Sequence, residues 1–343
     1  MTSRIRVLIV DDSAFARKVL REILTLSGDV EVVGIARDGL EALEKFAELK
    51  PDVVTLDLVM PNLDGIGVLD ALSASDRARV VIVSTAGGES ELAISAFERG
   101  VFDLVSKPTA LATARLYELG NELLAKIKAA AAASSRQPQL LSSGPKSSPA
   151  AAYWGARKVL VIGTSTGGPQ ALTRLLTALP ADFPLAIAAA LHIPAGYTDA
   201  LARRIDQAAE LEVVEAENGV ELRPGRAVIA RGGEHLHLLL RDQQLTGRLS
   251  RVPSDSVHFP SVDVLFESAV ELYGAGVVGL VLTGMGDDGR KGSEAIHRAG
   301  GLVITEAAHS CVVYGMPRAV VEAGFSNAEV SLYKLPEYLT TQL

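Results

Sequence analysis

A single cysteine, Cys311, stands in a chain of 343 residues. It cannot form an internal disulfide, which excludes a disulfide-stapled scaffold and favours a reducing compartment. Basic residues are in deficit, 33 Lys and Arg against 41 Asp and Glu, net −8. Non-specific binding to nucleic acid or to an anionic membrane needs the opposite balance. No apolar run reaches the roughly 18 residues of a membrane span. The opening Met1-Thr2-Ser3-Arg4 runs straight into the strand-like Ile5–Val10, with no signal-peptide hydrophobic region. A cytoplasmic location without membrane insertion is therefore expected. What the chain does have is 48% hydrophobic and 22% charged residues, the composition of a folded globular protein. At roughly 150 residues per domain, the length predicts two domains, each able to bury a full core.

Charge and composition divide the chain. Residues 1–107 hold 12 basic and 18 acidic side chains, residues 108–155 hold 5 and 2, and residues 156–343 hold 16 and 21. The net-positive middle contains five alanines, Ala129–Ala133, then stretches rich in Ser, Pro and Gly such as Ser142–Pro149. It lacks the apolar residues of a core and reads as a linker. Helical spacing of Leu116, Leu119, Leu123, Leu124 and Ile127 extends a helix from Leu111 to about Lys128. The expected domains are residues 1–120 and 156–343, with a linker over 121–155.

Before the linker, short apolar strands (Val7–Val10, Val30–Ala36, Val53–Leu58, Val80–Val83, Phe102–Val105) alternate with amphipathic helical patterns. Such β–α alternation predicts a doubly wound parallel sheet with helices on both faces. Functional residues then gather at the carboxyl ends of strands. Those ends carry Asp11 and Asp12, Asp57, Ser84 and Thr85, and Lys107. Three carboxylates brought together repel unless a cation sits among them, and oxygen ligands of this kind suit Mg²⁺. The lysine and hydroxyl could hold phosphoryl oxygens.

This constellation resembles the receiver domain of two-component response regulators, a flavodoxin-like (βα)5 fold, over about residues 4–125. The resemblance implies that Asp57 accepts the phosphoryl group. Asp11, Asp12 and Asp57, with the Val59 carbonyl, would hold Mg²⁺. Ser84 and Lys107 would contact the phosphoryl oxygens, with Thr85 as a substitute for Ser84. Receivers usually carry an aromatic switch residue three before the lysine. Leu104 stands there, so a rotating aromatic cannot be the full switch.

After the linker, a buried strand meets Gly163-Thr164-Ser165-Thr166-Gly167-Gly168-Pro169. This fits G-x-S-x-G: the serine is exposed at a tight strand-to-helix turn, beside amides that can stabilise an oxyanion. Pro169 suits the first turn of a helix. A nucleophilic serine needs a base. His192 follows the apolar strand Leu185–Leu191 and should lie on the same sheet edge. A third strand, Val277–Thr283, ends in Gly284-Met285-Gly286-Asp287-Asp288-Gly289, where one aspartate could orient the histidine. His235 and His237 alternate on a strand, with no further ligand to complete a metal site, and read as structural. The order Ser165, His192, Asp288 is not that of the α/β-hydrolases. A doubly wound α/β domain is expected, with an antiparallel extension from short strands between Val213 and Leu249. Helices are predicted over Val262–Tyr273, Gly292–Ala299 and Pro317–Ala323.

Gly163–Pro169, His192-Ile193-Pro194, Pro260–Phe266, Leu282–Gly289 and Cys311–Arg318 are similar to the chemotaxis methylesterase family of response regulators, along essentially the whole chain. By that resemblance Ser165 is the nucleophile, His192 the base and Asp288, not Asp287, the orienting acid. The amides of Thr166 and Met285 would form the oxyanion hole, with no cofactor in this domain. The text departs from the family at Leu191 (commonly Gln), Arg231 (Pro), Phe259 (Arg) and Glu306 (often Gln). The loss of Arg at 259 bears on how an acidic receptor helix is held.

The expectation is a phosphorylation-gated esterase, acting as a monomer. It would demethylate glutamyl methyl esters on chemoreceptors and deamidate their glutamines, with a chemotaxis histidine kinase as phosphodonor. Its rivals are a non-catalytic, phosphorylation-switched binding protein of the same fold, and the same esterase in a chemosensory pathway outside motility. A DNA-binding output is disfavoured by the acidic second half and the lack of a basic recognition helix.

Overall fold

The structure is a computed structural model that describes residues 4–72, 79–85, 90–107, 113–134 and 158–342. The chain divides into two compact units, Met1–Gln137 and Pro138–Leu343.

In the first unit five strands alternate with five helices: β1 (Ile5–Val10), α1 (Ala14–Leu26), β2 (Val30–Ala36), α2 (Gly39–Leu49), β3 (Val53–Leu56), α3 (Gly65–Ala71), β4 (Arg79–Ser84), α4 (Ser90–Glu98), β5 (Asp103–Ser106) and α5 (Thr113–Ser134). The strands form one parallel sheet in the order β2-β1-β3-β4-β5. Val7–Val10 and Val53–Leu56 are buried. Near-continuous apolar runs are what a strand covered on both faces requires. Three helices start at side-chain caps: Ser13 accepts from the Ala16 amide, Asp38 from Glu41 and Asp64 from Gly67. The strand ends differ from the sequence reading by one or two residues.

The last helix runs further than its apolar spacing predicted. α5 continues through the alanine run to Ser134. Residues 121–134 of the expected linker are therefore helical, and Leu123, Ile127 and Ala130 are buried. Alanine is the strongest helix former and adds no side-chain entropy cost, so a core-poor alanine run need not end a helix. The rest of the expected linker lies outside the described residues.

The second unit contains β6 (Val159–Thr164), α6 (Gly168–Leu176), β7 (Ala186–Leu191), α7 (Thr198–Asp206), β8 (Glu212–Glu215), β9 (Arg226–Ile229), β10 (His235–Arg241), β11 (Gln244–Ser250), α8 (Val262–Tyr273), β12 (Val277–Val281), α9 (Arg290–Arg298), β13 (Leu302–Glu306), α10 (Met316–Glu322), β14 (Ala328–Val330) and α11 (Leu335–Gln342). Seven strands form a parallel sheet in the order β14-β13-β12-β6-β7-β9-β8. The chain winds from β6 to β7 and beyond on one side and from β12 to β14 on the other, so the switch point lies between β6 and β12. Ligand crevices of open α/β sheets form at such a point.

The expected antiparallel extension is only partly present. β10 and β11 form an antiparallel hairpin, closed by Asp242 and Gln243 with positive φ. β8 and β9, however, pair in parallel within the main sheet. Turn signals such as Pro224-Gly225 mark where the chain leaves a strand; they do not say in which direction it rejoins the sheet.

Candidate active site and acidic pocket

In the first unit, Asp11 follows β1 and Asp57 follows β3. The parallel pairing of these strands sets them side by side, with the Asp57 amide donating to Val10 O at 2.9 Å. Carboxylate oxygens of Asp11, Asp12 and Asp57 lie within 4.8 Å of one another. Lys107, just past β5, places its Nζ 2.7 Å from Asp11 Oδ2 and 2.7 Å from Asp57 Oδ2. Burial pulls the Lys107 ammonium down, but its bonds to Asp11 and Asp57 outweigh that and leave it above its ordinary pKa. Ser84 ends β4 in full burial, and its carbonyl accepts from the Lys107 amide at 2.7 Å. Thr85 follows, half-buried. Leu104 is buried in β5. Beside it, Lys126 of α5 donates to Asp103 at 3.1 Å and to the Leu104 carbonyl at 2.6 Å.

In the second unit, the register of β6 and β7 pairs Thr164 with Leu191. Ser165 and His192 are the next residues on these adjacent strands, and the His192 amide donates to Thr164 O at 3.1 Å. Ser165 leaves the sheet in a turn closed by Gly168 N to Ser165 O at 2.7 Å. Gly167 makes that turn with φ +78°, a region L side chains rarely adopt. The third strand holds the turn from behind: the Ser165 amide donates to Thr283 O at 3.1 Å, and Thr164 Oγ1 to the same oxygen at 2.8 Å.

His192 Nε2 lies 2.8 Å from Asp288 Oδ2. An ionised carboxylate only accepts, so Nε2 is the donor in this bond, which in a neutral ring leaves Nδ1 as the acceptor. Nδ1 is buried and has no hydrogen-bond partner. Asp288 also accepts from Ser261 Oγ at 3.0 Å and from the amides of Val262, Asp263 and Gly289 at 2.7, 2.9 and 3.0 Å. Burial opposes its charge, but the bond to His192 and the amides at the start of α8 hold it well below the usual carboxylate range. The adjacent Asp287 is exposed and lies 3.7 Å from Arg290. Thr166 is buried, and its carbonyl accepts from Thr283 Oγ1 at 3.0 Å. Met285 is half-buried just past that strand, and no described group accepts from its amide.

The chain leaving three neighbouring strands, β12, β6 and β7, thus brings a serine, a histidine and a half-buried aspartate to one end of the sheet. The chain matches the CheB methylesterase family over residues 160–339 and the response regulator receiver domain over residues 7–117. It is 60% identical to protein-glutamate methylesterase/protein-glutamine glutaminase 5 of Myxococcus xanthus, over 97% of this chain and 96% of that one. This chain belongs to the CheB methylesterase family. The protein-glutamate methylesterase/protein-glutamine glutaminase of Thermotoga maritima is 41% identical, over 99% of both chains. The crystal structure of the Thermotoga maritima CheB methylesterase catalytic domain superposes with a TM-score of 0.53 at 40% identity, covering 55% of this chain and 99% of that one.

The methylesterase domain accommodates its four departures locally. Leu191 is fully buried at the end of β7. Arg231 donates to Glu215 at 2.9 Å. The Phe259 ring lies 4.5 Å from His235, and its carbonyl accepts from Gly233 at 2.9 Å. Glu306 is buried and accepts from the Thr283 amide at 2.8 Å.

Neither His235 nor His237 belongs to a metal-ligating cluster among the described residues. His235 Nδ1 accepts from Ser261 N at 3.1 Å, so its Nε2 donates to Pro253 O at 3.0 Å. His237 bonds Val252 O at 3.0 Å. His235 therefore positions Ser261, a partner of Asp288.

Two further residues shape the site without having been singled out by sequence. His258 stacks on His192, with ring centroids 3.9 Å apart and planes 18° from parallel. Asp263 Oδ1 accepts from Gly289 and Gly292 at 2.9 and 2.8 Å. Burial, joined by the charge of Asp288, pushes Asp263 up to about 6. An acid in the first turn of a helix capped by Ser261 was a readable signal for Asp263. A stacked histidine leaves no such mark.

Proposed function

We propose that Ser165, His192 and Asp288 form a serine-hydrolase triad that demethylates glutamyl methyl esters on chemoreceptors and deamidates their glutamines. The observation that carries this reading is the 2.8 Å bond from His192 Nε2 to Asp288 at the strand end next to Ser165, which leaves Nδ1 with no bonded partner. Ser165 Oγ attacks the ester carbonyl as its proton passes to His192 Nδ1. The oxyanion forms against the amides of Thr166 and Met285. Collapse breaks the C–O bond, and methanol leaves with the proton from His192. Water, losing its proton to His192, then attacks the acyl-enzyme and frees glutamate and Ser165. With glutamine the leaving group is ammonia. Asp288 stabilises the imidazolium without taking its proton.

The receiver domain supplies control. Asp57 is read as the phosphoryl acceptor from a chemotaxis histidine kinase, with Ser84 and Lys107 on the phosphoryl oxygens. The converging oxygens of Asp11, Asp12 and Asp57 form a hard-donor set that fits Mg²⁺, with the Val59 carbonyl as a further ligand. When bound, that ion neutralises charge on the phosphoryl group. The site of action is the cytoplasm, where receptor signalling helices lie, and the acting species is a monomer. No helix among the described residues is long and apolar enough to cross a membrane.

The deciding assay is methanol release from methylated receptor membranes. Ser165→Ala should abolish it; unchanged release from that variant would sink the assignment.

A further inference from the structure

Behind the Ser165 turn lies a carboxyl that the reaction above does not use. Glu306 ends β13 and is completely buried. Its Oε2 accepts from the Thr283 amide at 2.8 Å, and its Oε1 has no hydrogen-bond partner. Thr283 in turn holds three consecutive residues of the nucleophile turn. Its carbonyl accepts from Thr164 Oγ1 and the Ser165 amide, and its hydroxyl donates to Thr166 O. Gly284 and Met285 follow directly, and Gly284 has no room for a side chain: a Cβ there would stand 2.3 Å from Met316 Sδ and 2.9 Å from Ser165 Cβ. A shift of Thr283 therefore cannot be absorbed locally.

The groups facing Glu306 are neutral or acidic. From the segment after β13 come Ser310 and Cys311, the latter with Sγ 3.7 Å from the Glu306 carbonyl. Burial pushes the Cys311 thiol far up, so it stays protonated. Beyond it, Glu329 of β14 accepts from Tyr314 Oη at 2.9 Å. No Lys, Arg or His forms an ion pair with Glu306 among the described residues. Burial without a compensating cation pushes Glu306 up to about 7.

Resting on the serine-hydrolase reading, we propose that Glu306 is a positioning residue: its neutral carboxyl sets the Thr283 strut of the Ser165–Thr166 turn, and its ionisation slows acylation. The carboxylate would put an unpaired charge behind the turn on which negative charge develops during attack. In a low-dielectric interior that repulsion is poorly screened.

The test is the rate at which a serine-directed phosphonate labels Ser165 in the full chain, from about pH 6 to about pH 9. Wild type should rise to a maximum near neutrality, then fall by roughly tenfold over the next pH unit or two. Glu306→Gln, which keeps the acceptor and cannot ionise, should lack the alkaline fall. Coincident profile shapes would overturn the proposal, as would a complete failure of Ser165 to label. A thermal melt checks that the variant folds. If it does not, wild type decides alone, because a plateau reaching pH 9 overturns the proposal and a fall supports it. Methanol release, run in parallel, separates the two readings. Diverging labelling profiles without methanol release would retain the role of Glu306 and remove the methylesterase assignment.

Discussion

Asp288 collects five donors: His192 Nε2, Ser261 Oγ and the amides of Val262, Asp263 and Gly289. Such a carboxylate has two jobs, orienting the imidazole and closing the start of α8. Asp288→Asn would exchange one accepting oxygen for an NH₂ group that faces donors. Turnover in the methanol assay should fall by about a thousandfold or more. Buried donors left unsatisfied should cost about 1–3 kcal/mol in a denaturant melt. A variant with normal turnover would remove Asp288 from the triad. Because Asp288 ionises more readily folded than unfolded, its stabilisation is present above its ordinary pKa of 3.8 and is lost as pH falls below it. The sequence made Ser165, His192 and the Asp287-Asp288 pair legible because each follows an apolar strand at a sheet edge. Resemblance to the family, not spacing, chose between the two aspartates. The structure shows the physical difference: Asp288 is turned into the α8 terminus and Asp287 into solvent. His258 and Glu306 were not legible as site-shaping residues. Their roles come from neighbours far away in the chain, and no local pattern encodes such contacts.

Helices α8 and α9 cap each other. Asp288, just before α9, accepts from the first amides of α8, while Asp263, in the first turn of α8, accepts from Gly289 and Gly292 at the start of α9. Each acid satisfies amides that a helix start leaves open, and each sits in the field of a helix N-terminus. The arrangement also sets two carboxyls against each other. Asp263 uses Oδ1 for both bonds, so Asp263→Asn keeps the acceptor and removes the repulsion. The carboxyl is pushed from 3.8 up to about 6, so the native state holds its proton more tightly than the unfolded chain. Stability is then lost as pH rises from about 4 through about 6, by about 3 kcal/mol in all. The variant should melt higher than wild type at pH 7, by an amount that shrinks towards zero at about pH 4. An equal difference at both pH values would show that charge is not the cause. At this scale periodicity located the five strands of the first unit and β6, β7, β12, α8, α9 and α10 of the second, since apolar runs and 3.6-residue stripes are local properties, while α7, β13, β14 and α11 went unread. It could not show that β8 and β9 join the main sheet in parallel, because pairing direction depends on the route of the whole connection.

At the scale of the whole chain, an acidic cluster with a lysine stands in one unit and a proposed esterase in the other. Among the described residues, the Asp11, Asp12 and Asp57 set is the one grouping able to hold a metal ion, and it lies in the first unit. Control and catalysis should therefore separate experimentally. A small-molecule phosphodonor should raise methanol release by wild type. Asp57→Asn, or chelation of divalent cations, should abolish that rise, while chelation leaves the unstimulated rate in place. Loss of the unstimulated rate on chelation would place a metal requirement in the esterase itself.

The bond from Thr164 to Thr283 joins residues 119 positions apart. β6 is the first strand of its sheet to leave the ribosome, and β12 follows after β7, β8, β9 and the β10–β11 hairpin. Ser165 is thus synthesised long before Thr283, which props its turn, and Asp288, which bonds His192. Until that long loop closes, the nascent domain has a hydroxyl with no machinery around it. On the proposed reading, an unfinished chain cannot yet act on an ester, because the three residues come together only once β12 has joined β6.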